Sequence, residues 1–168
     1  GLGATTALLE TLRAGDRLLA PTIMYHGAQD WMRRLRKERG VRVNFFDPAN
    51  PDGLGETLGS GGATMVWIEC PVNPTWDVLD IAKTAGAAHS AGAVLVVDST
   101  VAPPVTTRPL ELGADIVLHS ATKYLNGHSD VLGGVLVTRT QDVRWEEVKR
   151  VRKLTGGIMA PFDAWLLL

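Results

Sequence analysis

The chain has 168 residues, 45% of them hydrophobic and 21% charged, a composition that supplies one sizeable buried core and so a single domain. Its 17 basic and 18 acidic side chains leave a formal net charge of −1 and are scattered along the chain. That pattern excludes the electrostatic footprint of a nucleic-acid or anionic-membrane binder and leaves a small molecule as the expected partner.

In chain order, an apolar helix-like opening, "GLGATTALLETLR", reaches the "AGD" turn, and "RLLAP" at 17–21 reads as a short strand running into a loop. "AQDWMRRLRKERG" at 28–40 has helical spacing with Gly40 as its stop, and "VRVNFF" at 41–46 returns to strand. Beyond a Pro/Gly-rich segment, 47–62, come "ATMVWIE" (strand), "DVLDIAKTAGAAHSAG" (helix), and then the strands "AVLVVD", "ADIVLHS" and "GGVLVT". A charged amphipathic helix covers roughly 141–153. Continuous Val/Ile/Leu strands separated by helices predict an α/β fold: a mostly parallel central sheet with helices on both faces. Apolar runs such as "AVLVV" fall far short of a bilayer span and no leader opens the chain, so the expectation is a soluble, cytoplasmic protein. The chain begins without methionine and ends on "PFDAWLLL", an apolar run that a complete domain normally covers; both ends read as boundaries of a larger whole.

Cys70 is the single cysteine, which excludes an internal disulfide and a cysteine metal cluster and leaves a small buried hydrophobe. His26, His89 and His119 lack metal-ligand spacing, and no metal is expected.

Ligands of such a sheet sit at the carboxyl ends of its strands, and the polar residues fall there. Asp98 ends "AVLVVD", "ECPVNP" follows "MVWI", and "HSATKYLNGHSD" follows "ADIVL". Lys123 at a strand end becomes a nucleophile when desolvation or a nearby cation depresses its pKa, and the usual product is a Schiff base. Ser120 and Thr122 flank it where hydroxyls can bind an anion such as a phosphate ester, and the helix opening at "GLGATT" offers backbone N–H groups to the same anion. Asp98, leaving an apolar strand, is suited to a cationic partner, and a carboxylate that keeps a pyridine nitrogen protonated makes the ring an electron sink. Lysine imine, phosphate site and buried carboxylate together describe pyridoxal 5′-phosphate. Plainer roles stand beside each assignment: a solvated loop lysine, a strand-end turn former, hydroxyls that satisfy local backbone groups.

The segments "AGDRLLAP", "YHG", "WIECPVNP", "DIAKTA", "VVDST", "RPLELGADIVLHSATKYLNGHSDVLGG" and "PFDAWLLL" run in one order over nearly the whole chain. In them the sequence resembles the cysteine and methionine metabolism branch of the pyridoxal-phosphate enzymes of fold-type I. That branch includes cystathionine synthases and lyases, methionine gamma-lyase and homoserine-ester sulfhydrylases. The resemblance implies the large cofactor-binding domain of an aspartate aminotransferase-like fold, here a core over 1–155, with 156–168 starting the connection to a C-terminal domain. It implies that Lys123 holds the cofactor as a Schiff base and moves protons at the substrate, and that Asp98 pairs with the pyridine nitrogen. Tyr25 would stack on the ring and assist proton transfer, and Asn73 would lie near the phenolic oxygen. Ser120 and Thr122, with the backbone amides of Gly1 and Leu2, would hold the phosphate. Thr100 is a lesser candidate beside the cofactor, and His128 and Asp130 would brace the loop after Lys123.

By the same resemblance the activity is elimination or replacement at the beta or gamma carbon of a sulfur amino acid or homoserine ester, in a homodimer or homotetramer. An N-terminal arm that brings a tyrosine and an arginine to a neighbouring subunit's phosphate is absent here, as is the domain carrying the arginine for the substrate carboxylate. "ECPVNP" replaces the usual "ETPTNP", "VVDST" replaces "VVDNT", and Gly27 stands where methionine gamma-lyases carry cysteine, which argues against that activity. Two other readings compete: a non-catalytic domain that binds the cofactor without turnover, and a nucleotide-binding dehydrogenase domain suggested by "GLGATT" but lacking the third glycine and the preceding strand.

Overall fold

The computed structural model describes residues 1–50, 52–59 and 61–168. Pro51 and Ser60, both within the Pro/Gly-rich segment, lie outside the described residues.

Six strands form one sheet: β1 (Arg17–Pro21), β2 (Arg42–Phe46), β3 (Met65–Glu69), β4 (Val94–Asp98), β5 (Ile116–Ser120) and β6 (Gly134–Thr138). Their spatial order is β2-β1-β3-β4-β5-β6. All neighbours pair in parallel except β5 and β6, which run antiparallel with Ser120 opposite Gly134. The mostly parallel sheet expected from the Val/Ile/Leu runs is therefore present, and only its last edge strand reverses.

The helices are α1 (Leu2–Leu9), α2 (His26–Arg39), α3 (Gly53–Leu58), α4 (Ile81–Ser90), α5 (Val143–Thr155) and α6 (Pro161–Leu167). Alternate strand residues feed two cores, as the two-residue period of a strand requires. On one face Leu18, Ala20, Met65, Trp67, Val96 and Leu118 pack with Leu8 and Leu9 of α1, Met32 and Leu35 of α2 and Val148 of α5. On the other, Leu19, Val66, Ile68, Leu95, Val97 and Val117 pack with Leu58 of α3 and with Ile81, Ala85 and Ala88 of α4.

Local chemistry sets the helix limits. Ala28, Met32 and Leu35 line the buried stripe of α2, and its last turn carries Arg36, Lys37 and Arg39, which suit the negative end of the helix dipole. Gly40 then takes the left-handed conformation at φ 70°, which a residue without Cβ adopts at no steric cost. Asp80 caps α4 by accepting from the Lys83 N–H at 2.9 Å, so this helix starts at Ile81 rather than at Asp77, where the sequence pattern began it. Asp142 caps α5 in the same way through the Trp145 N–H, which moves the expected 141–153 helix two residues along.

Between β4 and β5 no α-helix intervenes; a short 3₁₀ turn, Pro109–Leu112, makes the connection. α3 lies within the segment read only as Pro/Gly-rich. The Arg17 guanidinium holds the end of that segment, donating to the carbonyls of Thr57, Leu58 and Gly61 at 2.5, 3.0 and 2.9 Å. α6 has no buried residue, and Phe162 and Trp165 are each 65% exposed. Among the described residues no helix is long and apolar enough to cross a membrane.

Candidate active site

A cleft of about 470 Å³ opens where the N-terminus of α1 meets the ends of β5 and β6, a size typical of small-molecule sites. Gly1, Leu2, Gly3, Tyr25, Ser120, Thr122 and Lys123 line it. Glycines make this approach possible. A Cβ on Gly134 would lie 2.8 Å from Gly1 N and from Ala4 Cβ, and one on Gly1 would lie 3.1 Å from Ser120 Oγ.

The first turn of α1 leaves donors free, as every helix start does. The amides of Ala4 and Thr5 donate to Gly1 O, whereas those of Leu2 and Gly3 have no hydrogen-bond partner among the described residues. Gly1 N instead donates to Gly133 O. Ser120 Oγ, at the cleft, is likewise free of a partner among the described residues. The Thr122 hydroxyl is engaged, accepting from Gly133 N at 2.9 Å and donating to Gly133 O at 3.3 Å, which fastens the β5–β6 loop. Within that loop, residues Ala121–Leu125 form a wide helical turn in which Lys123 leaves helical geometry, at φ −93° and ψ −118°. Lys123 stands exposed at the mouth of the cleft, so the desolvation the sequence called for is not provided by this chain by itself. Bracing of the loop matches the expectation: His128 Nδ1 lies 2.7 Å from Asn126 O, and Asn126 Nδ2 donates to Asp130 Oδ1 at 2.6 Å.

Asp98 lies behind the cleft at the end of β4, 6% exposed, and forms no ion pair among the described residues. Burial pushes its carboxyl up to about 6, against the opposing effect of hydrogen bonds from Thr100. Those bonds come from Thr100 Oγ1 at 2.5 Å and Thr100 N at 3.1 Å, both to Oδ1, while Thr100 Oγ1 accepts from Ser120 N at 2.8 Å. Thr100 thus links Ser120, which lines the cleft, to the Asp98 carboxylate, a larger part than the sequence assigned it.

Tyr25 immediately precedes α2 and lines the cleft. Its ring tilts against His26 with centroids 4.9 Å apart and folds over Gly27, where a Cβ would meet ring atoms at 2.8–3.0 Å. Asn73 is exposed and does not line the cleft; its backbone joins the site through a residue the sequence reading passed over. That residue is Glu69, 4% exposed at the end of β3, whose Oε2 accepts from Tyr25 N at 2.6 Å and Oε1 from Asn73 N at 3.3 Å. It pairs in register with Asp98 across the ladder. Burial foremost, with the Asp98 charge adding, pushes its carboxyl up to about 7 despite those two hydrogen bonds. Cys70 is buried with Sγ 3.4 Å from Leu79 O, as a small core residue would be.

The donor set can be tested against a ligand. Free first-turn amides and a free hydroxyl suit a phosphate, the buried unpaired carboxylate suits a cationic ring nitrogen, and a lysine amine lies beside them for an aldehyde. Pyridoxal 5′-phosphate meets all three demands, and the doubly covered, mostly parallel sheet carrying such a site defines a pyridoxal-phosphate domain of fold-type I.

The comparisons narrow this class to a family. The family model for the Cys/Met metabolism PLP-dependent enzymes matches residues 1–168, and the chain belongs to that family. It is 38% identical to a probable cystathionine gamma-synthase of Herpetosiphon aurantiacus over all of this chain and 52% of that protein. It is 39% identical to a cystathionine beta-lyase of Coxiella burnetii, over all of this chain and 43% of the other. Among solved structures, a cystathionine gamma synthase from Xanthomonas oryzae pv. oryzae superposes with a TM-score of 0.92 at 36% identity, over 99% of this chain and 43% of that one. A methionine gamma lyase from Micromonospora echinospora superposes with a TM-score of 0.90 at 38% identity, over 98% and 44%. The chain spans about half the length of the curated relatives it matches. The family's cofactor is pyridoxal phosphate.

Proposed function

We propose that the protein carrying this chain catalyses elimination or replacement at the beta or gamma carbon of a sulfur amino acid or homoserine ester. The observation that carries the reading is the convergence of Lys123, the free α1 amides and the buried Asp98 on one end of the sheet. The curated relatives named as cystathionine synthases and lyases support the choice of substrate class.

Each side chain has a task in this reading. Lys123 Nζ would hold the cofactor through its aldehyde and, as a free amine beside the substrate, would take the α-proton. Asp98 would hold the proton on the ring nitrogen, which a buried carboxylate with no ion pair among the described residues is fitted to do. The amides of Leu2 and Gly3 with Ser120 Oγ bind the phosphate, Thr122 keeps the Lys123 loop against β6, and Gly1 closes the α1 end onto Gly133. Tyr25 covers a face of the ring. Asn73, outside the cleft lining but joined to it through the Glu69 carboxylate, would face the phenolic side. When bound, the cofactor delocalises the charge left at the α-carbon.

Residues 1–155 form the cofactor-binding core and 156–168 begin the connection to a further domain. The support is Gly156, whose φ of 72° ends α5, and the unburied α6 after it. The exposed Ile158, Phe162 and Trp165 support self-association into a homodimer or homotetramer, and the cytoplasm is the proposed location. A second reading, cofactor binding without turnover, is favoured for this chain alone by one observation: among the described residues no arginine lines the cleft, so a substrate carboxylate would lack its bidentate clamp.

The test is an absorbance spectrum of the intact protein after reconstitution and desalting, beside Lys123→Ala, followed by thiol release from cystathionine. The expected result is a visible band, absent in Lys123→Ala, together with turnover. A band that persists in Lys123→Ala overturns the assignment, and a band without turnover on any sulfur amino acid or homoserine ester selects the second reading.

A further inference from the structure

Four residues of the site differ in what fixes them. Asp98 is held by Thr100, and the Lys123 loop by Thr122, Asn126 and Gly133. Tyr25, packed at the edge of the core, and Asn73 have no such side-chain hydrogen bonds among the described residues. The Tyr25 ring touches His26 and Gly27, both beside it in the chain, and the exposed Asn73 side chain makes no hydrogen bond among the described residues. What hydrogen-bonds both to the sheet is their backbone, through one carboxylate.

We propose that Glu69 is a positioning residue of the active site: its buried carboxylate, by accepting the backbone N–H groups of Tyr25 and Asn73 together, sets where these two residues stand relative to Asp98. The inference rests on the reading that Tyr25 and Asn73 flank the cofactor.

The geometry supports a built clamp rather than an incidental contact. β3 is buried at all five positions, and a carboxylate at the end of such a strand is tolerated only where hydrogen bonds replace water. Both oxygens are used, each by a different chain segment. The two donors start α2 and lie in the turn after β3, places where the amide has no helix or ladder partner. Opposite Glu69, the ladder continues one residue further, with Cys70 N donating to Asp98 O at 3.0 Å, so the clamp is rigidly placed beside the ring-nitrogen carboxylate. A cation paired with Asp98 would also offset the charge that raises the Glu69 proton affinity, favouring the anion and strengthening both bonds to N–H donors. Filling the site therefore tightens the clamp.

The test uses the intact protein and Glu69→Gln, which keeps the volume and one acceptor oxygen but sets an NH₂ against one of the two N–H donors. In the apo form, backbone hydrogen exchange in the segments around Tyr25 and Asn73 should accelerate while exchange in α4 is unchanged. Cofactor affinity, measured by titration, should fall on the order of tenfold or more, the loss expected for an impaired charge-assisted bond. Combined with Tyr25→Phe, the loss in kcat/KM caused by Glu69→Gln should shrink, because the hydroxyl it positions is gone; a purely structural glutamate would give additive losses. Unchanged exchange, affinity within twofold of wild type, or additive losses overturn the proposal. Should Glu69→Gln not fold, Glu69→Asp, whose shortened carboxylate cannot reach both donors, carries the same three measurements. Failure of the underlying functional reading is distinguished by the wild type itself, which would then lack the Lys123-dependent visible band.

Discussion

The two faces of the sheet are built from the same strands and solve opposite problems. Behind α3 and α4, Ile68, Leu95, Val97 and Val117 close against Ile81, Ala85 and Ala88 in a sealed apolar layer. Behind α1 and α2 the layer is as apolar through Trp67, Val96 and Leu118, but one step further along each strand it turns into Glu69, Asp98 and Ser120. The sealed face contributes stability through area removed from water, whereas the other holds two buried carboxyls whose ionisation opposes folding. The difference teaches that a strand of this kind is partitioned twice: by face along its length, and by chemistry at its carboxyl end.

Substitutions can test that partition. The largest effect belongs to the sealed face. Leu95→Ala, at a fully buried position, should lower stability by about 2–5 kcal/mol in urea unfolding and leave cofactor affinity unchanged in the protein that remains folded. A loss of affinity there would break the separation between faces.

On the site face the sign depends on pH. The carboxyls of Asp98 and Glu69 are raised to about 6 and about 7, above their unfolded values, so the folded apo protein binds their protons more tightly than the unfolded chain does. Their favourable contribution is full below about pH 4 and is lost as pH rises through those values. Asp98→Asn should thus gain stability relative to wild-type apo protein between pH 4 and pH 8, by on the order of 2–3 kcal/mol, while weakening cofactor binding. A constant difference between the two unfolding profiles would show that Asp98 titrates normally.

The smallest effect is expected on the solvent side. Glu111→Ala breaks an exposed pair with Arg108 at 3.4 Å and should change stability by less than about 0.5 kcal/mol, within the scatter of a thermal melt. A larger change would mean that the β4–β5 connection depends on this pair.

Much of this partition is legible in the sequence. The strands announce themselves as Val/Ile/Leu runs, and Gly40 stops α2 where the pattern placed the stop. Lys123, Asp98, Ser120 and Tyr25 belong to recognisable segments and do converge. α3 was hidden because a six-residue helix containing Gly53 and Gly55 has neither the length nor the propensity to show a period. Glu69 was hidden for another reason. Its partners are backbone amides, one of them 44 residues away, and a backbone donor leaves no signature in residue type. Thr100 was underrated for the same cause, since its partner on β5 is the Ser120 amide rather than a side chain.

The reversal of β6 has a consequence for the order in which the molecule assembles. Parallel neighbours must bring together distant parts of the chain, Leu18 with Met65 or Met65 with Val94, before any bond forms, whereas Ser120 finds Gly134 across one short loop. Loop-closure entropy favours that local pairing, and low contact order favours its early formation. The segment bearing Lys123 is thus the part of the sheet best placed to pair early, and its turn should be set while the strands carrying Glu69 and Asp98 are still being recruited.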